Sequence, residues 1–515
     1  MRQEGFPRAL PHLPTDRTSS CQVRWSCLAD CQLGAYGNDP KIWRGRVPWR
    51  RRGGPKIEGA IDKDGRGPSI WDTFCARPGK IADGSSGVTA CDSYNRTDED
   101  IALLKSLGSQ AYRFSLSWSR IIPKGGRNDP INQAGLDHYR KFVDDLLEAG
   151  ITPFITLLHW DVPDELDTRY GGLLNRTEFP LDFENYARVV FKGIPRCKNW
   201  ITFNEPWCSS ILGYNTGSFA PGRTSDRSKS AVGDSAREPW IVGHNLLVAH
   251  GRAVKAYRDD FKAENGGEIG IVLNGDATFP WDPKDPKDVE AANRKIEFAI
   301  SWFADPIYFG EYPASMRAQL GDRLPTFTPE EKAFVEGSND FYGMNHYTAN
   351  YVRHIDGEAP EDDFLGNLEI LFHNKRGDCI GPETQSTWLR PCPVGFRDLL
   401  VWLSRRYGFP KMYVTENGTS ILGENDMPKE EILKDDFRLQ YYDDYVKAMA
   451  QASTFDGVDV HGYFAWSLLD NFEWAEGYET RFGVTFVDYE NGQRRYPKKS
   501  AQSLAPLFKS LVKKD

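Results

Sequence analysis

Seven short runs of nearly continuous apolar, β-branched and aromatic residues recur along the chain: AYRFSLSW (111–118), TPFITLLHW (152–160), NWITFNE (199–205), EIGIVLNGD (268–276), DFYGMNHYTANYV (340–352), KMYVTENG (411–418) and VHGYFAWSLL (460–469). Each reads as a strand. Between them lie stretches with apolar residues at helical spacing, among them LDHYRKFVDDLLEAG (136–150), FENYARVVF (183–191), PWIVGHNLLVAHGRAVKAY (239–257) and FRLQYYDDYVKAMAQA (437–452). Strands this apolar, joined by helices, suit a parallel sheet covered on its outer face. An open doubly wound sheet would advertise a glycine-rich phosphate loop after an early strand, and neither GxGxxG nor GxxxxGKS occurs. The pattern therefore predicts an α/β fold, a single-domain (β/α)8 TIM barrel. Polar residues gather at the C-terminal ends of the runs: His159 and Trp160, Asn204 and Glu205, Asn345 and Tyr347, Glu416 and Asn417, and Trp466. In a barrel those ends form the mouth where chemistry is done.

Before residue 57 the pattern fails. Residues 1–56 hold eleven Lys or Arg against four Asp or Glu, a net of +7, which leaves −16 for residues 57–515 of a chain whose total is −9. The stretch WRGRVPWRRRGGP (43–55) shows neither strand nor helix period. The expected division is a basic, disordered segment over 1–56 and the barrel over 57–515, with the first strand of the barrel doubtful or missing. A solvated tail is the preferred reading of the basic run over a nucleic-acid arm.

The overall acidic balance argues against a nucleic-acid partner, and no apolar run approaches the ~18 residues of a membrane span. Charges and prolines stand where a secretory leader would need a short apolar stretch, so the expected location is the cytoplasm. Nine cysteines, without CxxC pairs or histidine-rich spacing, suggest reduced thiols and no metal site.

Two carboxylates carry the chemistry. Glu205 in WITFNEP and Glu416 in YVTENG each close a strand, so both face one cavity. A carboxyl pair about 5–5.5 Å apart serves retaining glycoside hydrolysis, one group attacking the anomeric carbon while the other protonates the leaving oxygen and then activates water. The C-terminal run FAWSLLDNFEWAEGYETRFG (464–483) supplies indole faces on which a sugar ring could stack, Trp466 and Trp474, and a carboxylate, Glu473, able to accept from adjacent hydroxyls. Asp470, Asn471, Glu473 and Glu476 interleave with the aromatics, which argues against an all-core reading of the segment.

These residues resemble glycoside hydrolase family 1, the β-glucosidase family, and its intracellular fungal members in particular. The resemblance runs from about Ile57 to Phe508 through GRGPSIWDTF (65–74), YRFSLSWSRI (112–121), LLHWDVP (157–163), TFNEP (202–206), FYGMNHYT (341–348), VTENG (414–418) and the FAWSLLDNFEW segment, in the family's order. It implies a retaining β-glucosidase acting on terminal non-reducing β-D-glucosyl or β-galactosyl residues of small β-glycosides and oligosaccharides, such as those derived from cellulose. It makes Glu205 the general acid/base and Glu416 the nucleophile, with Arg113 and Tyr347 touching the nucleophile. His159, Trp160, Asn204, Asn345, Trp466, Glu473 and Trp474 match the sugar-binding set, and Trp388 resembles the platform for the leaving group. No metal or organic cofactor is implied.

One departure stands out. Family members end their first strand in a glutamine just before IEGA, where this chain has Lys56 after PWRRRGGP. Residues 1–56 therefore read as foreign to the barrel, as a retained intron or a wrong start would leave them, and a catalytically impaired, sugar-binding barrel is the alternative reading. Lys56 is expected either to pair with Glu473 or Glu416 or to point to solvent.

Overall fold

The computed structural model describes the backbone of residues 30–34 together with residues 56–511. Seven parallel strands follow the seven apolar runs: β2 (Ala111–Ser115), β3 (Thr152–Leu158), β4 (Asn199–Asn204), β5 (Glu268–Asn274), β6 (Tyr342–Asn345), β7 (Met412–Asn417) and β8 (Val460–Trp466). They pair in sequence order from β2 to β8, as βαβ connections of one hand require. The helices between them include Gln133–Glu148, Glu178–Gly193, Glu238–Asp260, Pro393–Arg406 and Asp436–Asp456, which contain or closely overlap the predicted ones.

The place of the first strand, expected to be doubtful or missing, is taken by β1 (Asp30–Gly34). Its backbone runs parallel to β8 in the register Asp30 with Gly462 through Gly34 with Trp466. β1 also lies beside β2, which brings the sheet round to near closure. The five residues DCQLG carry no period of their own, and backbone pairing to a neighbour demands none. Apart from β1 and Lys56, the segment expected to be disordered, residues 1–56, lies outside the described residues.

The run 340–352 is two strands rather than one. β6 stops at Asn345, the chain turns through His346–Thr348, and Ala349–His354 leaves the barrel to pair with Ala277–Pro280 on one side and Leu368–Leu371 on the other. Both halves are largely buried, so the hydrophobic pattern runs straight through the bend.

The floor of the barrel is a layer with one residue from each of β2–β8 or its start: Ala111, Phe154, Ile201, Val272, Phe341, Tyr413 and Phe464. Phe154 packs edge-to-face on Tyr413 at 5.1 Å and on Phe464 at 4.9 Å. This plug closes the barrel beneath the mouth and leaves the next residues along each strand to line a cavity above it. Two register shifts sit at that level, between Ile201 and Asn204 on β4 and between Val414 and Glu416 on β7. Such irregularities re-aim the side chains that follow, here the two strand-end glutamates. Gly418 permits the chain to leave β7, since a Cβ there would stand 1.9 Å from the carbonyl oxygen of Trp466.

Behind the C-terminal loop lies a buried ionic cluster. Arg438 binds Glu424 at 2.8 Å and also Asp435; Lys498 binds Glu424 at 2.6 Å and Asp470 at 2.9 Å; Arg481 binds Asp470 at 2.6 Å. Burial alone would raise the Glu424 carboxyl, but Arg438 and Lys498 outweigh it and hold it below the usual carboxylate range. Asp470 and Asn471 are thus core residues after all, and Asp470 is tolerated because two cations meet it. Arg438→Met is expected to lower stability by about 3–5 kcal/mol, because it takes the ion-pair partner from buried Asp435 and leaves Glu424 with Lys498 alone. Chemical denaturation measures this, and an unchanged midpoint would contradict it.

Candidate active site

Glu416 ends β7 with both carboxylate oxygens engaged. Arg113 from β2 donates to Oε1 at 2.6 Å, and the hydroxyl of Tyr347 donates to Oε2 at 2.6 Å. Burial, reinforced by the charge of Glu416, pushes the Tyr347 phenol well above its ordinary range, so it keeps the proton it donates. A guanidinium and a phenol O–H are the partners that hold a buried carboxylate as an anion.

Glu205 follows directly on β4 and is equally buried, but its partners are weak and neutral. Asn345 Nδ2 donates to Oε1 at 2.7 Å and the Cys208 thiol to Oε2 at 3.1 Å. Burial first, and the nearby charge of Glu416 second, raise its carboxyl far above the ordinary range, against the smaller opposing effect of those donors. Two carboxyls in one cavity thus have unlike surroundings, a cation and a phenol hydroxyl around one, an amide and a thiol around the other. Backbone φ is positive at Glu205 (45°), Trp160 (71°) and Trp474 (51°), a strained conformation for non-glycine residues and one that gathers at functional sites.

The two carboxyls are joined by a polar bridge. Arg113 donates through its other terminal nitrogen to Asn204 Oδ1 at 2.6 Å, and Asn345 donates to that same oxygen at 3.1 Å. Thr415 fixes the Asn345 amide by donating to its Oδ1 at 2.7 Å. Asn204 Nδ2 in turn donates to His159 Nε2 at 3.0 Å. His159 accepts because burial, then the charges of Lys56 and Arg113, keep its ring neutral.

One side of the cavity is aromatic. Trp160, anchored through Nε1 to the Asn204 carbonyl at 2.9 Å, lies 4.6 Å from Trp474, and the Trp466 ring stands 6.2 Å from His159. Trp71 and Phe219 back this wall, at 4.5 Å from Trp474 and 5.2 Å from Trp160 respectively. Glu473 reaches in from the last loop. Trp388 sits outside at the rim, 45% exposed, edge-on to Tyr347 at 5.8 Å and donating to Glu476 at 3.2 Å.

All twelve residues singled out from the sequence thus gather around one barrel mouth, with Trp388 at its edge. Asn204 and Asn345, expected to bind substrate, also orient the two glutamates. Cys208, Thr415, Trp71 and Phe219 were not singled out. Cys208 could have been found three residues beyond Glu205, at the spacing that brings side chains onto one face of a helical turn; Trp71 and Phe219 reach the site only through packing. Lys56 is buried rather than pointing to solvent, and its Nζ lies 3.6 Å from Glu473 Oε1. Among the described residues, no group of three or more His, Cys, Asp or Glu side chains could hold a metal ion, and no helix is long and apolar enough to cross a membrane.

Comparison with known proteins points the same way. A β-glucosidase of Humicola insolens, solved in complex with glucose, is 77% identical with a TM-score of 0.89, the match covering 89% of this chain and 96% of that one. A rice Os3BGlu6 β-glucosidase variant, solved in a covalent complex with Glc, is 43% identical with a TM-score of 0.85 over 89% of this chain and 96% of its own. β-Glucosidase 1B of Phanerodontia chrysosporium is 56% identical over 454 residues, 88% of this chain and 83% of that protein. The family model for glycosyl hydrolase family 1 matches residues 53–514. With that match laid over a barrel whose mouth holds two buried glutamates with unlike partners, the chain belongs to glycosyl hydrolase family 1, enzymes that hydrolyse O-glycosyl bonds.

Proposed function

We infer that this family member is a retaining β-glucosidase in which Glu416 is the nucleophile and Glu205 the acid/base. The observation that carries the assignment is the contrast between them: Glu416 is clasped by Arg113 and Tyr347, while Glu205 is buried with only an amide and a thiol as donors. In the first step a Glu416 oxygen attacks the anomeric carbon as the glycosidic C–O bond breaks, and the Glu205 proton passes to the departing oxygen. In the second, water gives a proton to Glu205 and attacks the same carbon, releasing Glu416. The covalent Glc complex of the rice relative supports such an intermediate.

The glycone is a terminal β-D-glucosyl unit, with β-galactosyl as the neighbouring option and short cellulose-derived oligomers as suitable substrates. Trp160, Trp466 and Trp474 offer faces for the sugar ring, His159, Asn204 and Glu473 bind its hydroxyls, and Trp388 receives the aglycone at the rim. The reading of an impaired, merely sugar-binding barrel finds no support, since both glutamates and their partners stand in place. Proton NMR of the first product from an aryl β-glucoside tests the mechanism. Two displacements at one carbon restore the β-anomer, and an α-anomer appearing first would overturn it.

A further inference from the structure

Lys56 brings a positive charge into the sugar site itself. It is 1% exposed, and its ammonium lies 4.0 Å from the ring centre of Trp474, 4.8 Å from Trp466 and 5.5 Å from Trp160. Those three indoles are the wall assigned above to the glycone, so the ammonium sits among the faces on which a sugar ring would stack. The surroundings of that point attract a cation. Three π-faces converge on it, Glu473 Oε1 is 3.6 Å away, and the charge of Glu416 is felt there.

We propose that Lys56 is a specificity-determining residue, a tethered cation that occupies the cation-binding spot of the glycone pocket and makes the site discriminate against positively charged sugar mimics. The inference rests on the reading of this cavity as the glycone site. A protonated amine ligand entering the cavity would have to displace the lysine ammonium or lie beside it. A neutral sugar meets no such repulsion and can use the lysine as a hydrogen-bond donor.

The groups facing Lys56 set its charge. They are Glu473 with Glu476 beyond it on the last loop, Glu205 and Glu416 at the ends of β4 and β7, and His159, which is neutral. Burial pulls the lysine down to about 8, against the upward pull first of Glu473 and then of Glu416, so it remains a cation at pH 6. Glu473 Oε2 is buried without a hydrogen-bond partner among the described residues, which leaves one carboxylate oxygen for a sugar hydroxyl while the other faces Lys56.

The test uses the full chain and two neutral replacements of similar length, Lys56→Gln and Lys56→Met. At pH 6, inhibition of aryl β-glucoside hydrolysis is measured with two cationic probes, Tris and 1-deoxynojirimycin, and with glucose as the neutral control. Both variants are expected to bind the cationic probes about tenfold or more tightly relative to glucose, the size of one desolvated cation–π and charge contact. Lys56→Arg, which keeps the charge, should retain the discrimination. Unchanged ratios of cationic to neutral inhibition in both neutral variants would overturn the proposal. Absence of any β-glucoside turnover in the parent chain would instead defeat the glucosidase reading, so the two failures are separable. Should one variant fail to fold, the other decides the question.

Discussion

Glu416→Gln is expected to lower turnover of an aryl β-glucoside on the order of a thousandfold or more, with the barrel still folded. The amide is nearly isosteric but cannot supply the electron pair that forms the glycosyl–enzyme bond. The surroundings sharpen the loss. One oxygen of Glu416 faces the Arg113 guanidinium, which can only donate, so the new amide group must turn its nitrogen toward Tyr347. The phenol can rotate to accept, and the variant should therefore stay folded while losing its anion. Steady-state kinetics beside a thermal melt check this. Residual activity of more than a few per cent in a folded, uncontaminated preparation would remove Glu416 from the nucleophile role.

For Glu205→Gln the loss should depend on the leaving group. Cellobiose and alkyl glucosides need their oxygen protonated as the bond breaks, and general acid catalysis of that kind is worth about 10²–10⁴-fold. A dinitrophenyl glucoside needs little help, so its first step should slow far less. The pH profile carries the same signature. Activity requires a protonated Glu205, and burial together with the Glu416 charge raises its carboxyl, so the parent chain should lose activity as pH rises through neutral to mildly alkaline values. A free glutamate would lose it near ~4.3. In Glu205→Gln, with the activated substrate, that alkaline limb should vanish. Equal losses on both substrates, or a limb that persists unchanged, would argue that Glu205 is not the acid.

The strand pattern made the barrel legible because a parallel strand buried on both faces must be almost wholly apolar, and the helices that cover it must repeat at their own period. Polar residues that interrupt such strands at one end have few reasons to be there other than chemistry, which is why His159, Asn204, Glu205, Asn345 and Glu416 could be found without coordinates. β1 and the bend after Asn345 escaped for the opposite reason. A five-residue strand held by backbone hydrogen bonds, and a turn between two buried strands, leave no periodic trace.

Side-chain identity and strand position were enough to say that two glutamates share a cavity. Their division of labour was implied by the family resemblance alone, and the fold supplies a physical contrast to go with it. Glu205 and Glu416 are the same residue type at equivalent strand ends, and only the neighbours drawn from other strands separate them: Arg113 from β2 and Tyr347 beyond β6 for one, Asn345 from β6 and Cys208 for the other. The same holds for Asp470, which argues against a core reading of its segment until Lys498 and Arg481 are seen beside it in the interior. It holds for Lys56 as well, whose neighbours Trp160, Trp466, Glu473 and Trp474 lie more than a hundred residues away. Hydrophobic periodicity is written locally, along one strand or helix at a time. The charge state of a buried group depends on desolvation and on partners a few ångströms away in space, and those partners come together only when the sheet closes.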